Sequence, residues 1–221
     1  MKTRIGSFIL ILMLSVPLAI AQSADKARVS FSILGGVNFQ NLNGKDTDGD
    51  KLENDLTLGY HAGINIQIPF APQIFFQPGL LLTTKGAKNS NNSITVKTKL
   101  TYLELPLNVV YKALLGEGAI MIGFGPYIGY GIGGKLKGDN DETDIVFENT
   151  VKVSDPDDVA YFKALDAGAN IFAGYELANG FFFQLNTQLG LIKINPKNEN
   201  FTEDKSTLKN TGFGLSLGYR F

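Results

Sequence analysis

The chain carries few residues of the types that perform nucleophilic or acid–base chemistry. It has one histidine, His61, and no cysteine, so thiol chemistry and disulfides are excluded. A hydrolytic site would need a histidine together with an acid and a hydroxyl group, close to where a lipid or peptide substrate arrives. No serine stands at a matching spacing from His61, so we expect this residue to be a hydrogen-bonded interior side chain. The sequence therefore predicts no enzyme activity and no cofactor.

An acidic stretch offers a second candidate chemistry, calcium binding. Asp46, Asp48 and Asp50 alternate along the chain, as carboxylates do at the start of a calcium-binding loop. The pattern departs from an EF-hand, because Gly49 stands at the fourth position rather than the sixth and Thr57 replaces the bidentate glutamate. We expect a solvated acidic loop. Calcium, with an affinity no better than ~10⁻⁴–10⁻³ M, is the alternative.

Several charged residues lie inside segments that are otherwise apolar or rich in glycine. They are Lys85, Glu104, Asp166, Glu176 and Arg220. Buried charges must be paired with one another or hydrogen-bonded. We therefore expect a polar network that plugs an interior, and a path for ions or protons is the alternative.

The segments that would position these residues alternate with a period of two, which is typical of β-strands. Between Thr211 and Phe221 every odd position from Phe213 is large and apolar or aromatic, and every even position from Gly212 to Arg220 is small or polar. Seven more segments share the pattern, at 28–41, 56–70, 74–85, 98–111, 119–133, 162–177 and 181–193. The connections alternate between long polar segments and short turns such as Ala71–Gln73 and Asn179–Gly180.

The two faces of these strands indicate which side meets lipid. An eight-stranded barrel has an interior just wide enough for side chains, and the bulky Ile, Leu and Phe residues would overfill it. No charge lies mid-strand on the apolar face, where Arg or Lys would cost ~2–4 kcal/mol in a bilayer. We predict an all-β fold, a closed eight-stranded antiparallel up-and-down transmembrane barrel with short periplasmic turns and long extracellular loops. A soluble lipocalin-like barrel, with its faces exchanged, is the alternative.

The first residues have the features of a secretory signal peptide. A basic start with Lys2 and Arg4 precedes an apolar run and the sequence Ala19-Ile20-Ala21. We expect cleavage after residue 21 and one barrel domain over residues 22–221. The formal net charge of −1, without a basic run, argues against nucleic-acid binding.

Several short motifs, in this order, carry a family resemblance. They are Gly35-Gly36-Val37-Asn38-Phe39, Tyr102-Leu103-Glu104-Leu105-Pro106-Leu107, Gly123-Phe124-Gly125-Pro126-Tyr127, Gly174-Tyr175-Glu176-Leu177 and Leu217-Gly218-Tyr219-Arg220-Phe221. Together they resemble the PorT-like outer-membrane β-barrel proteins, a family similar in architecture to the small OmpA/OmpX-type barrels. The resemblance implies the fold and an outer-membrane location in a Gram-negative bacterium. It implies little about activity.

The function that follows is a non-enzymatic surface barrel whose loops serve binding, adhesion or envelope integrity. An enzyme acting on outer-leaflet lipid is the alternative, whereas an open porin would need ~16–18 strands. The expected partners are outer-membrane lipid and lipopolysaccharide, periplasmic chaperones and the barrel-insertion machinery, which would read the terminal Phe221. We expect a monomer.

Overall fold

The computed structural model describes residues 28–91, 94–139, 141–156, 158–199 and 205–221. The predicted signal peptide, residues 1–21, lies outside the described residues. In the described ranges the strands are β1 Ser30–Lys45, β2 Thr57–Ala71, β3 Ile74–Asn91, β4 Ile94–Leu115, β5 Gly118–Lys137, β6 Glu142–Phe147, β7 Thr150–Val151, β8 Ala160–Phe162, β9 Leu165–Glu176, β10 Phe181–Gly190, β11 Lys197–Asn198 and β12 Thr207–Arg220. None of the described segments forms a helix long and apolar enough to cross a membrane.

Eight of these strands form a ring of antiparallel neighbours. Their order is β4-β3-β2-β1-β12-β10-β9-β5, and β4 also pairs with β5. The first and last strands of the ring are in register over most of their length, with Ile33 opposite Tyr219 and Phe39 opposite Phe213. The predicted eight antiparallel strands in sequential order are confirmed.

The alternation of the strands also sorts the side chains as predicted. The outward face of the ring is apolar and exposed, with Leu58, Phe124 and Leu217 among its members. The inward face buries polar groups such as Ser32, Asn65 and Gln77. Because most large aliphatic side chains point away from the interior, the ring has the arrangement of a membrane barrel rather than that of a lipocalin.

Several strand boundaries differ from the prediction. The sequence predicts a long loop over residues 86–97, but residues 86–91 and 94–97 continue the pairing of β3 with β4, with Gly86 opposite Lys99 and Asn89 opposite Val96. This segment contains Thr and Val residues that favour strands, and an antiparallel pair can extend beyond the ring. Strand six begins at Leu165 rather than at residue 162 because β8 pairs in parallel with β6. Strand seven ends at Gly190 rather than at residue 193.

The short turns join the strands at one end of the ring, which we call the short-turn end. The turn after β9 is displaced by one residue from the predicted Asn179-Gly180 pair. Gly180 donates its N–H to the carbonyl of Leu177, which makes Ala178 and Asn179 the central residues. Gly180 follows with a φ of 91°, as in hairpins where a type I turn precedes a left-handed residue.

The opposite end, the long-loop end, is covered by apolar side chains from the long connections. Ile145 of β6, Phe162 of β8 and Ile194 pack against Leu100 and Tyr102 of the ring. Leu100, Tyr102 and Ile194 are fully buried. The segment between β5 and β9, predicted as the longest loop, therefore supplies a lid over the interior.

Glycines on the inward face of β5 make room for aromatic rings. A Cβ atom added at Gly123 would collide with the ring of Phe172, and one at Gly131 with the ring of Phe147. The two rings fill the space that the glycines leave empty, so the interior stays packed although β5 contributes little bulk there.

Candidate functional site

The most deeply buried charges lie in the interior beneath the long-loop lid. Lys85 of β3, Glu104 of β4 and Asp166 of β9 form what we call the buried cluster. The Nζ atom of Lys85 lies 2.7 Å from Glu104 Oε2 and 3.0 Å from Asp166 Oδ2, and all three side chains are 0% exposed. One cation and two carboxylates give this cluster a formal charge of −1.

Neutral side chains add hydrogen bonds to the carboxylates of the buried cluster. Asn210 donates to Asp166 Oδ2 at 2.9 Å, and Gln188 donates to Glu104 Oε1 at 2.6 Å. Lys85 Nζ also lies 4.0 Å from the centroid of the Tyr127 ring, an arrangement in which the ring face attracts the ammonium group. These contacts offset the large cost of removing three charges from water.

The buried cluster and the lid together block the interior. The lid packs on Leu100 and Tyr102, which belong to the same strand, β4, as Glu104 and are fully buried. A solute passing along the ring axis would have to displace both the lid and the ion pairs. The arrangement therefore suits a wall and not a channel.

His61 lies deeper in the interior, at the centre of a hydrogen-bonded chain. Its Nδ1 atom is 2.5 Å from Asn38 Oδ1, and its Nε2 atom is 2.7 Å from Ser216 Oγ. Because an amide oxygen only accepts hydrogen bonds, Nδ1 must carry a proton, and in neutral His61 the Nε2 atom accepts from the serine hydroxyl. The hydrogen-bonded series Ser216, His61 and Asn38, which we call the His61 chain, has the order of a nucleophile, a base and an orienting group.

Burial and the small size of the adjoining cavity limit the chemistry of the His61 chain. Ser216, Asn38 and His61 are all buried, and Ser216 Oγ also accepts a hydrogen bond of 3.0 Å from Asn186. The adjoining cavity is ≈ 50 Å³ and is lined largely by amide, hydroxyl and carboxylate side chains. That volume suits water or a very small polar molecule, and it has no room for a lipid.

A second set of charges lies at the short-turn end. Glu176 Oε1 is 2.6 Å from Lys112 Nζ, and Glu176 Oε2 is 2.7 Å from Arg220 Nε. We call Lys112, Glu176 and Arg220 the recess cluster, because they line an open recess of ≈ 780 Å³ between the short turns. Their side chains are 7–15% exposed, and the formal charge of the set is +1.

A layer of apolar side chains separates the recess cluster from the His61 chain. It consists of Leu34, Val110, Met121, Phe172 and Phe182, all buried. The interior is thus layered from the long-loop end to the short-turn end as lid, buried cluster, polar cavity, apolar layer and recess cluster.

The five charged residues singled out in the sequence do not form one network. The structure places Lys85, Glu104 and Asp166 in one cluster and Glu176 and Arg220 in another. Sequence reasoning missed Lys112, which lies one residue beyond the predicted end of strand four. Lys112 is two residues from the buried Val110 and therefore points to the same, inward face of β4. It also missed Ser216 and Asn38 beside His61, which are brought there by the pairing of β1 with β2 and β12.

One carboxylate of the acidic loop accepts hydrogen bonds from the backbone of the loop itself. Asp46 Oδ1 accepts hydrogen bonds of 2.9–3.0 Å from the backbone N–H groups of Asp48, Gly49 and Asp50. Within the described ranges, no group of three or more acidic or histidine side chains could hold a metal ion. Asp46, Asp48 and Asp50 form a turn, and calcium binding there stays a prediction.

One comparison with known protein families agrees with this architecture. A family model described as outer membrane protein beta-barrel domain matches residues 20–195. No curated protein matches the chain in sequence.

Several solved structures are similar to the chain at low identity. Ail of Yersinia pestis, in complex with the heparin analogue sucrose octasulfate, is 14% identical over 88% of this chain and 99% of its own, with a TM-score of 0.39. OprG of Pseudomonas aeruginosa is 13% identical over 87% and 95%, with a TM-score of 0.47. AlkL in lipid bilayers is 14% identical over 91% and 94%, with a TM-score of 0.37.

Proposed function

Because the chain belongs to the family of outer membrane protein beta-barrel domains, we propose that it is a closed, non-enzymatic barrel that displays its long connections outside the cell. The observation that carries this proposal is the contrast between an apolar outer surface and an interior blocked by the lid and the buried cluster. A wall of this kind transports nothing, so its contribution lies in what it presents. Surface binding, adhesion and envelope integrity are the roles that such a display supports. The resemblance of its motifs to the PorT-like proteins supports, as part of this proposal, membership of that group.

The orientation can be tested by labelling, because the chain has no cysteine of its own. Lys51→Cys places a thiol in the exposed first long connection, and Glu117→Cys places one in an exposed short turn. A membrane-impermeant maleimide applied to intact cells should label Lys51→Cys and reach Glu117→Cys only after lysis. The opposite pattern would reject the proposed topology. If the membrane fraction contained neither labelled variant, insertion into the membrane would be rejected.

The display role has its own test. A strain lacking the protein should be compared in surface attachment and detergent sensitivity with strains carrying the wild type or a barrel whose residues 46–50 are replaced by a short neutral turn. A display role requires the wild type to restore the phenotype and the altered barrel to fail at equal surface levels. Full restoration by the altered barrel would remove the first connection from the proposal.

Assembly of the barrel belongs to the same proposal. A cleaved signal peptide over residues 1–21 would deliver the chain to periplasmic chaperones, and the insertion machinery would read Phe221. Phe221 and Phe31 are neighbours on the exposed apolar face, with ring centroids 6.2 Å apart, so Phe31 serves as the comparison site. Phe221→Ser should lower outer-membrane levels far more than Phe31→Ser. Equal losses would mean that only apolar area matters.

One observation favours a second candidate function, a hydrolase. Ser216 and His61 are hydrogen-bonded at 2.7 Å, so Ser216 Oγ could attack an acyl carbon while its proton passes to His61 Nε2. Hydrolysis of a very small ester, methyl formate, by the folded protein distinguishes the candidates, because the cavity beside Ser216 is only ≈ 50 Å³. Turnover that Ser216→Ala abolishes would support the hydrolase, and absence of turnover would favour the non-enzymatic barrel.

A further inference from the structure

Lysines from three neighbouring strands lie side by side beyond the apolar surface of the ring. The register places Lys88 of β3 opposite Lys97 of β4, and Lys97 opposite Lys137 of β5. One step nearer the ring, Lys99 lies opposite Lys135. We call Lys88, Lys97, Lys99, Lys135 and Lys137 the lysine wall.

The lysine wall faces outward. Lys97, Lys99, Lys135 and Lys137 are exposed, whereas Leu100, on the other face of β4, is fully buried. Lys97 and Lys99 continue the face of β4 that carries the exposed Leu103. With a rise of about 3.4 Å per residue, Lys97 and Lys99 lie beyond the last lipid-facing side chains of β4. Their ammonium groups are therefore at the level of a lipid headgroup layer.

Carboxylates neutralise only part of this wall. Glu142 forms ion pairs with Lys135 and Lys137, Asp144 lies 4.0 Å from Lys135, and Asp55 lies opposite Lys88. Within the described ranges, no carboxylate lies within 4.0 Å of Lys97 or Lys99. Asp139 also lies near the wall, because its Oδ2 accepts a hydrogen bond from the Thr95 N–H, two residues from Lys97. Five lysines against four carboxylates leave a local charge of +1 in a chain whose total is −1.

Such a row is unfavourable without an anion. Like charges directly opposite one another destabilise a pair of strands, and here the pairing brings lysines together over three strands. Gly86, opposite Lys99, leaves the outer face of β3 bare beside it. Across this gap Lys99 Nζ lies 4.9 Å from the centroid of the Tyr60 ring. Lys99 therefore reaches over the buried Gly86 and holds its ammonium group beside the exposed ring of Tyr60.

We propose that the lysine wall binds the phosphate-bearing headgroup of a lipid in the outer leaflet. This inference rests on the proposed function, because the wall must lie at the outer lipid–water boundary. Ammonium groups form charge-assisted hydrogen bonds with phosphate oxygens, and basic clusters beside a bilayer attract anionic lipids. The acyl chains of such a lipid would lie along the apolar face below Leu103 while its phosphate meets Lys97 and Lys99.

The test uses the full-length mature barrel in detergent, titrated with lipid A and examined by native mass spectrometry. The wild type should retain bound lipid A, and the variant Lys97→Gln with Lys99→Gln should bind it about ten- to thirtyfold more weakly, as expected for two lysines beside an anionic surface. The matched control is Lys45→Gln with Lys51→Gln, which removes the same charge from another cross-strand lysine pair. This control should bind like the wild type.

Competing outcomes separate the sources of phosphate and the two proposals. Displacement of lipid A by millimolar inorganic phosphate, or equal retention of phosphatidylcholine, would overturn a lipid-specific site. Equal weakening in both double variants would reduce the effect to overall charge and overturn the site as well. If Lys51→Cys is labelled on intact cells but the wild-type barrel retains no lipid A, the proposed lipid binding by the lysine wall is wrong and the display proposal stands. Inverted labelling would overturn both.

Discussion

The buried cluster and the recess cluster use the same residue types in opposite surroundings. In the buried cluster one lysine holds two carboxylates at 0% exposure, and in the recess cluster one carboxylate holds two cations beside an open recess. Desolvation dominates the energetics of the first, because any unpaired charge there has no access to water. Water can replace a lost partner in the second. The difference shows that the composition of an ion cluster says less about its contribution than its access to solvent does.

The largest expected effect is that of removing the single cation of the buried cluster. Lys85→Met leaves Glu104 and Asp166 buried without a cation between them, and breaking a buried pair in this way costs about 3–5 kcal/mol. The free energy of unfolding, measured by urea titration of the barrel in lipid vesicles and followed by gel mobility, should fall by that amount. A loss no larger than that caused by a substitution in the recess cluster would break the comparison.

A rescue variant sharpens this prediction. Lys85→Met combined with Glu104→Gln and Asp166→Asn removes all three charges, and replacing a buried ionic set by neutral groups is often close to neutral in stability. Most of the lost unfolding free energy should return. If the triple variant is no more stable than Lys85→Met alone, packing rather than charge explains the loss.

A smaller effect is expected in the recess cluster. Glu176→Gln removes the carboxylate that Lys112 and Arg220 both contact. Water from the recess can still hydrate the two cations. The loss should lie between the values for exposed and buried pairs, at about 1–2 kcal/mol. It should shrink further in high salt, unlike the loss caused by Lys85→Met. An unchanged loss in high salt would show that the recess excludes ions.

The smallest effect belongs to the exposed ion pairs of Glu142, which serve as an outer reference for the comparison. Hydrogen bonds from Lys135 and Lys137 lower the pKa of Glu142 to about 2. Because the folded pKa is depressed, the contribution to stability is present above the unfolded value near 4.5 and is lost as pH falls through about 2. Carboxyl NMR of the barrel should show Glu142 ionised at pH 3. A midpoint near the ordinary glutamate value would mean that the pairs do not form in solution.

Local pattern predicted the strands and their faces, and it failed where distant strands had to be aligned. The period of two assigned Glu104 and Asp166 to the interior and Leu217 to the exterior. It could not bring Ser216 to His61, which is 155 residues away in the chain, because that contact depends on the pairing of β1 with both β2 and β12. Lys112 was missed for another reason. The apolar run ends at Tyr111, and the strand continues only because β5 pairs with it as far as Leu115.

The rings that lie over the glycines of β5 have a consequence for how the sequence can diverge. Phe172 occupies the space that a side chain at position 123 would need, so neither position can change freely. A larger residue at 123 requires a smaller one at 172, and the same exchange links 131 with 147. Among diverging relatives these pairs should trade volume in opposite directions, while the exposed loops vary independently of them.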